Sequence, residues 1–275
     1  MNSIKHVLQS IMKWTKSPAG VVSICLLGVF ALLMIPSFAC KNVVVQNIFI
    51  GIATNFIGII VTVSFVQYFL DRQKAKDEKS IERDKILRRD KVLRYLIAEY
   101  STYFNCIVTP MNLRNGVDKD KPKNDFVFAD MADLHQYSLL LADKLNGSAV
   151  ESFYRVEMAL RDYFITCIND IDYTYYHDLI EPQLGFITSS LSLDVREAIL
   201  GNKNVMSGNE PLINIVKTYI SEDEKHRWVE RFDEGHLEGN LMIPYVILYK
   251  LLKKEGEYIR EYNRVINRVR TEKSE

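Results

Sequence analysis

From Ser17 to Cys40 the chain carries no charged residue, and after Lys41 a second uncharged run extends from Asn42 to Leu70. Each run exceeds the ~20 apolar helical residues that a hydrocarbon core of about 30 Å requires. The pattern predicts one membrane span near Gly20–Ala39 and a second near Ile48–Leu70. The link, Lys41–Asn47, has room only for a turn outside the bilayer. At Asp71 charge arrives abruptly. Residues 71–94 hold ten basic and six acidic side chains and few apolar ones, the composition of a solvated stalk or charged coiled coil. Apolar positions then recur at Ile86, Leu93, Ile97, Tyr100, Phe104, Ile107 and Met111. Their spacing of three, four and seven is helical. The second span is therefore expected to run on as one helix, through the stalk and into a domain core, ending near Pro110.

Residues 115–125, NGVDKDKPKND, read as a loop. A helix is expected over Phe126–Leu145, ending at Asn146-Gly147. Ser148 with Glu151 has the form of a capping box, and the helix it opens would bury Phe153, Leu160, Phe164, Cys167 and Ile171. Pro182 and Gly185 read as interruptions. Shorter helices follow over Ser192–Leu200 and Pro211–Ile220. A last helix runs from Leu241 towards Arg270, with Leu248, Leu251, Tyr258, Tyr262, Ile266 and Val269 on one side. Strand-like alternation is scarce and no internal repeat is present. The expected fold is all-α. It has an N-terminal segment (1–19), a two-helix transmembrane hairpin (20–70), a charged helical stalk (71–94) and a cytoplasmic helical bundle (95–275).

Charge gives this arrangement a direction. The chain has 275 residues and a formal net charge of zero, from 35 basic and 35 acidic residues. No Asp or Glu precedes Asp71, and the only basic residues before it are Lys5, Lys13, Lys16 and Lys41. Three of these precede the first span, a dense Lys/Arg segment follows the second, and only Lys41 lies opposite. The positive-inside rule then places both termini in the cytoplasm, with Trp14 and Tyr68 near that interface. A cleaved-signal reading draws on the small residues Ser37 and Ala39, but the leader and the apolar run are both long for a signal peptide. Residues 95–249 hold 13 basic and 24 acidic side chains, a net of −11, which discourages contact with nucleic-acid phosphate there.

Chemistry is harder to find. The four cysteines form no CxxC pair and read as reduced structural thiols. No P-loop, GxGxxG, HExxH or GxSxG occurs. His177-Asp178, with Asp170 and Asp172, resembles part of a phosphohydrolase metal set. It lacks companions at suitable positions, and a solvated acidic turn is the simpler reading. No enzyme activity, cofactor or metal is expected. Arg260, Arg264 and Arg268 recur every four residues near Asn263, Asn267 and Arg270, a stripe able to grip a nucleic-acid backbone or a protein partner. The alternatives are a solvated face paired with Glu257 and Glu261, or docking on the acidic middle of the chain itself. Within the second span, Gly51, Asn55, Gly58 and Thr62 share one helix face. Small residues allow close helix approach, and an amide in hydrocarbon seeks a partner. This face either packs on the first span against Gly28 and Ala31, or self-associates in the bilayer, with Asn55 between copies or beside a narrow wet path.

The run Ala53–Val63 has the form ATxxIGIxxTV and leads into Asp71-Arg72. In this it resembles the second span of two-span membrane effectors from bacterial antiphage systems, including those that accompany retrons. The resemblance covers about residues 20–75. It implies a toxic inner-membrane protein held silent by a cytoplasmic partner and released on infection. For the retron type that partner would be a reverse transcriptase with its RNA–DNA hybrid, and Arg260, Arg264, Arg268 and Arg270 would have a ligand. The rival expectation is a membrane-anchored scaffold or adaptor whose spans only hold it in place.

Overall fold

The computed structural model describes residues 18–39, 42–116, 121–135, 149–192, 195, 198–199, 210–222, 227–236 and 241–272. Among the described residues every regular element is helical. In chain order these are α1 (Pro18–Ala39), α2 (Val43–Ile107), α3 (Ala149–Asp170), α4 (Ile180–Ser192), α5 (Glu210–Ser221), α6 (Arg227–Asp233) and α7 (Ile243–Thr271). Short 3-10 turns occupy Met111–Gly116, Phe128–Met131 and His177–Leu179. The chain divides into two compact units between Lys79 and Ser80, and α2 contributes to both as one unbroken helix of 65 residues.

In the first unit, α1 covers Pro18–Ala39 of the described residues. Asn42 starts α2 by accepting a hydrogen bond from the Val44 amide at 3.0 Å, a side-chain N-cap. The described structure contains one helix, α2, long and apolar enough to cross a membrane. Its apolar part carries Ile48, Ile52, Ile57, Ile59, Val61, Phe65 and Phe69 exposed, the reverse of a water-soluble helix that hides such residues. Lys5, Lys13, Trp14, Lys16 and Lys41 lie outside the described residues.

The second unit is built on the apolar stripe of α2. Ile86, Leu93, Ile97, Tyr100, Phe104 and Ile107 are all buried, and Met111 is partly covered. α2 ends at Ile107, three residues before Pro110, which cannot continue a helix. The Tyr100 ring touches both Phe153 and Phe186, and from Phe186 the ring contacts continue through Phe164 to Tyr262. These rings come from α2, α3, α4 and α7, so a single aromatic seam holds four helices together. α3 buries Phe153, Leu160, Phe164 and Cys167, and Ile171 follows buried beyond its end.

Two expected elements differ. Residues 126–135 form no α-helix, and the rest of the span expected to end at Leu145 lies outside the described residues. The Asp130 carboxylate accepts the Val127 amide at 3.0 Å and the Lys123 ammonium at 3.0 Å, a local bond that competes with helix. Phe126 and Phe128 meanwhile set their rings edge-on to Tyr249 of α7. Pro182 and Gly185 do not break the chain but lie inside α4. Pro182 occupies the first turn, where amides have no helical partner. Gly185 lets α4 approach α7, since a methyl group there would collide with the Tyr258 ring. Most of the helix expected over Ser192–Leu200, and the Ser148 cap, lie outside the described residues. α6 was not legible as a separate helix.

Candidate functional site

Two features of α2 stand out, one in each unit. In the first unit, Ala53 is buried, and Phe49, Phe56, Ile60 and Val63 are less exposed than their neighbours along the same turns. These positions follow the helical period and mark one face. Gly51, Asn55, Gly58 and Thr62 lie on the opposite face and are exposed. Thr62 donates back to the Gly58 carbonyl at 2.9 Å, and Thr54 does the same to Ile50 at 2.7 Å. Both hydroxyls are thus satisfied inside the helix. Open space surrounds the missing Cβ positions of Gly28, Gly51 and Gly58, so Gly28 of α1 does not fill this face. The Asn55 amide makes no side-chain hydrogen bond among the described residues.

In the second unit, α2 is gripped by a polar collar over residues 82–90. The buried Glu82 carboxylate accepts backbone amides of Thr174 at 3.1 Å, Tyr175 at 3.0 Å and Tyr176 at 3.2 Å. That loop follows α3 and includes Tyr173 with φ of 50°, a left-handed conformation uncommon for a bulky residue. Three amides aimed at one carboxylate hold the loop in place. Arg83 donates to the Val269 carbonyl at 3.0 Å and the Arg270 carbonyl at 3.3 Å. A cation on the last carbonyls of α7 also complements its dipole.

Asp90 is the hub of the collar. It is buried, pairs with Arg270 of α7, and receives the Tyr262 hydroxyl at 3.2 Å and Arg94 at 3.3 Å. Burial pushes its carboxyl up, against the pull of Arg94 and Tyr262. Ten residues along α2, the buried Tyr100 hydroxyl donates to the buried Glu255 at 2.8 Å. Burial, with Glu255 and Glu157 close by, pushes the Tyr100 phenol well above its ordinary range. α7 therefore runs antiparallel to α2, its C-terminal end at Arg83 and its middle at Tyr100.

The basic stripe of α7 is largely engaged within the chain. Arg264 pairs with Glu261 at 2.5 Å. Arg268 pairs with Asp178, and Arg270 with Asp90 and Asn267. Arg260 is exposed and makes no ion pair among the described residues. Asp170 pairs with Arg89, so two of the four acid and imidazole groups near His177 already have arginine partners. Among the described residues no three His, Cys, Asp or Glu are placed to share a metal ion.

The sequence reading missed Glu82, Asp90, Glu157 and Glu255. A signal was present for three of them. Asp90 falls on the apolar phase between Ile86 and Leu93, Glu255 between Leu252 and Ile259, and Glu157 between Phe153 and Leu160. A lone charge on the buried phase of a helix requires a partner inside the fold. No protein-family model, curated protein or solved structure matches this chain.

Proposed function

We propose that the chain is a non-enzymatic effector of the bacterial inner membrane. In this reading α1 and the apolar part of α2 form a two-span hairpin with both termini in the cytoplasm. The second unit receives a signal from a cytoplasmic protein partner, and α2 carries the change to the bilayer. Copies then associate in the membrane through Gly51, Asn55, Gly58 and Thr62 and breach or depolarise it. The observation that carries the proposal is the continuity of α2, one helix that is apolar and outward-facing in its first part and gripped by polar bonds at residues 82–90. No proline interrupts α2 between Val43 and Ile107.

The role in antiphage defence, with a reverse transcriptase and its RNA–DNA hybrid as the partner, rests on the resemblance of Ala53–Val63. The pairing of Arg264, Arg268 and Arg270 with acids of the chain leaves Arg260 as the residue best available to such a ligand.

The test is inducible expression. An effector stops growth and admits an impermeant dye, whereas an anchored scaffold does neither. Asn55→Leu and Gly58→Leu, at equal membrane level, should abolish dye entry and crosslinked oligomers together. Val61→Leu, off that face, should leave both unchanged. Interhelical hydrogen bonds in lipid are worth only about 0.6–2 kcal/mol, so insertion survives the loss of the amide. Full permeabilisation by Asn55→Leu would remove this face from the mechanism. A periplasmic reporter signal from a fusion after Glu275 would remove the topology and everything built on it.

A further inference from the structure

Lys85, Arg88 and Arg89 stand at i, i+3 and i+4 on α2, so their side chains leave one face of the helix. With Asp170 and Ile171 they line an open cavity of about 280 Å³. Ile171 is buried and gives it an apolar floor. Arg89 is engaged, since its guanidinium pairs with Asp170. Lys85 and Arg88 are exposed and make no ion pair among the described residues. Two cations are thus left over in a concave surface, beside a third whose charge is already matched.

A lone carboxylate would leave one of the two cations unmatched. A phosphate group at neutral pH carries close to two negative charges, with three oxygens to share. The planar fork of Arg88 and the point charge of Lys85 are the pair of groups that phosphate recognition uses. We infer that this cavity is a binding site for a small, soluble, phosphate-bearing molecule, held by Lys85 and Arg88 with its apolar part over Ile171. The volume lies at the small end of ligand cavities, roughly 300–1,000 Å³. That suits a diphosphate or a mononucleotide. A bound phosphate would compete with Asp170 for Arg89. Asp170 closes α3, and the next residues form the loop that Glu82 holds. Occupancy would therefore be felt at the collar. The inference does not rest on the membrane reading, because its readout is binding.

The experiment uses the full chain in nanodiscs of neutral lipid, titrated with inorganic pyrophosphate at constant ionic strength. Saturable heat of binding and a rise in the unfolding temperature are expected. The double variant Lys85→Gln/Arg88→Gln should bind at least about tenfold more weakly, since each charge-assisted bond is worth about that much. Arg88→Lys keeps the charge but not the fork and should fall between. Lys91→Gln, outside the cavity, should bind as the parent does. The proposal is overturned by absence of saturable binding, by an equal effect of chloride at matched ionic strength, or by unaltered binding in the double variant. It is equally overturned if protection appears only in discs containing anionic lipid, which would assign the two cations to headgroups. Unfolding curves in the absence of pyrophosphate keep the double variant interpretable. A variant that unfolds like the parent and binds like it leaves the cations as mere complements to the end of α3.

Discussion

Asp90→Asn tests the collar with the smallest change of shape. The Asp90 side chain is 4% exposed, Arg270 27% and Arg94 55%. Removing one member of a fully buried ion pair costs about 3–5 kcal/mol, because the other charge stays buried and unpaired. Arg270 keeps a quarter of its surface in water and can partly rehydrate, so about 2–3 kcal/mol is expected here. Arg94 is half in solvent, and its contact should contribute no more than about 0.5 kcal/mol. The decisive quantity is the coupling between Asp90 and Arg270. Arg270→Gln alone should cost about 2 kcal/mol, and the double variant should cost less than the sum, with a coupling of about 1–2 kcal/mol. Urea unfolding of the full chain in detergent micelles, followed by tryptophan fluorescence, measures all three, provided the slope against urea stays constant. Arg94→Gln is the control. A coupling below about 0.3 kcal/mol would lie within the additivity of independent sites. It would refute the claim that Asp90 ties α7 to α2.

Gly185→Ala should destabilise the second unit by about 1–3 kcal/mol through the clash with Tyr258, although alanine favours an isolated helix; a variant as stable as the parent, in the same urea assay, would mean that α4 and α7 do not approach so closely. Burial opposes the charge on Asp133, but the Lys217 ammonium and the Met111 amide outweigh it and hold the carboxyl below its ordinary value. Its stabilisation is therefore fully present above the ordinary carboxylate range and is lost as pH falls through the depressed folded value, so Asp133→Asn should flatten the acid side of the stability profile below that ordinary range. Burial pushes the Cys167 thiol to about 11, and Cys106 is buried as well. Iodoacetamide at pH 8 should leave both unmodified in the native chain and modify both in urea.

The helical character of the chain was open to reading because period and punctuation repeat along it. The stripe from Ile86 to Ile107 announced the buried side of α2, and Pro110 announced its end. Pro182 misled because a proline in a first turn and a proline in a helix interior look alike without knowledge of where the helix begins. Gly185 misled because its reason lies across the fold, in the Tyr258 ring. Asp90 and Glu255 could be noticed as charges on a buried phase, but their partners could not be named. Tyr100 and Glu255 are 155 residues apart, and Asp90 and Arg270 are 180 apart. Pairings at that range are set by topology, which no local pattern encodes. The Arg260 to Arg270 stripe shows the same limit. Spacing puts these side chains on the outer part of α7, but only the fold determines that Asp178 and Asp90 already occupy two of them.

The separation of 180 residues between Asp90 and Arg270 also sets a clock. A ribosome adds about 5–20 residues per second, so α7 emerges roughly 10–40 s after the segment of α2 that it will cover. During that interval Leu93, Ile97, Tyr100 and Phe104 have no α7 to lie against, and Asp90 waits without Arg270. α3 and α4 can shelter part of this surface as they appear, but the aromatic seam cannot close until Tyr262 arrives. Translation halted before residue 243 would therefore release chains whose apolar helix is complete and whose domain is not. For such chains the competing destinations of the exposed stripe are other nascent copies, a chaperone or a protease.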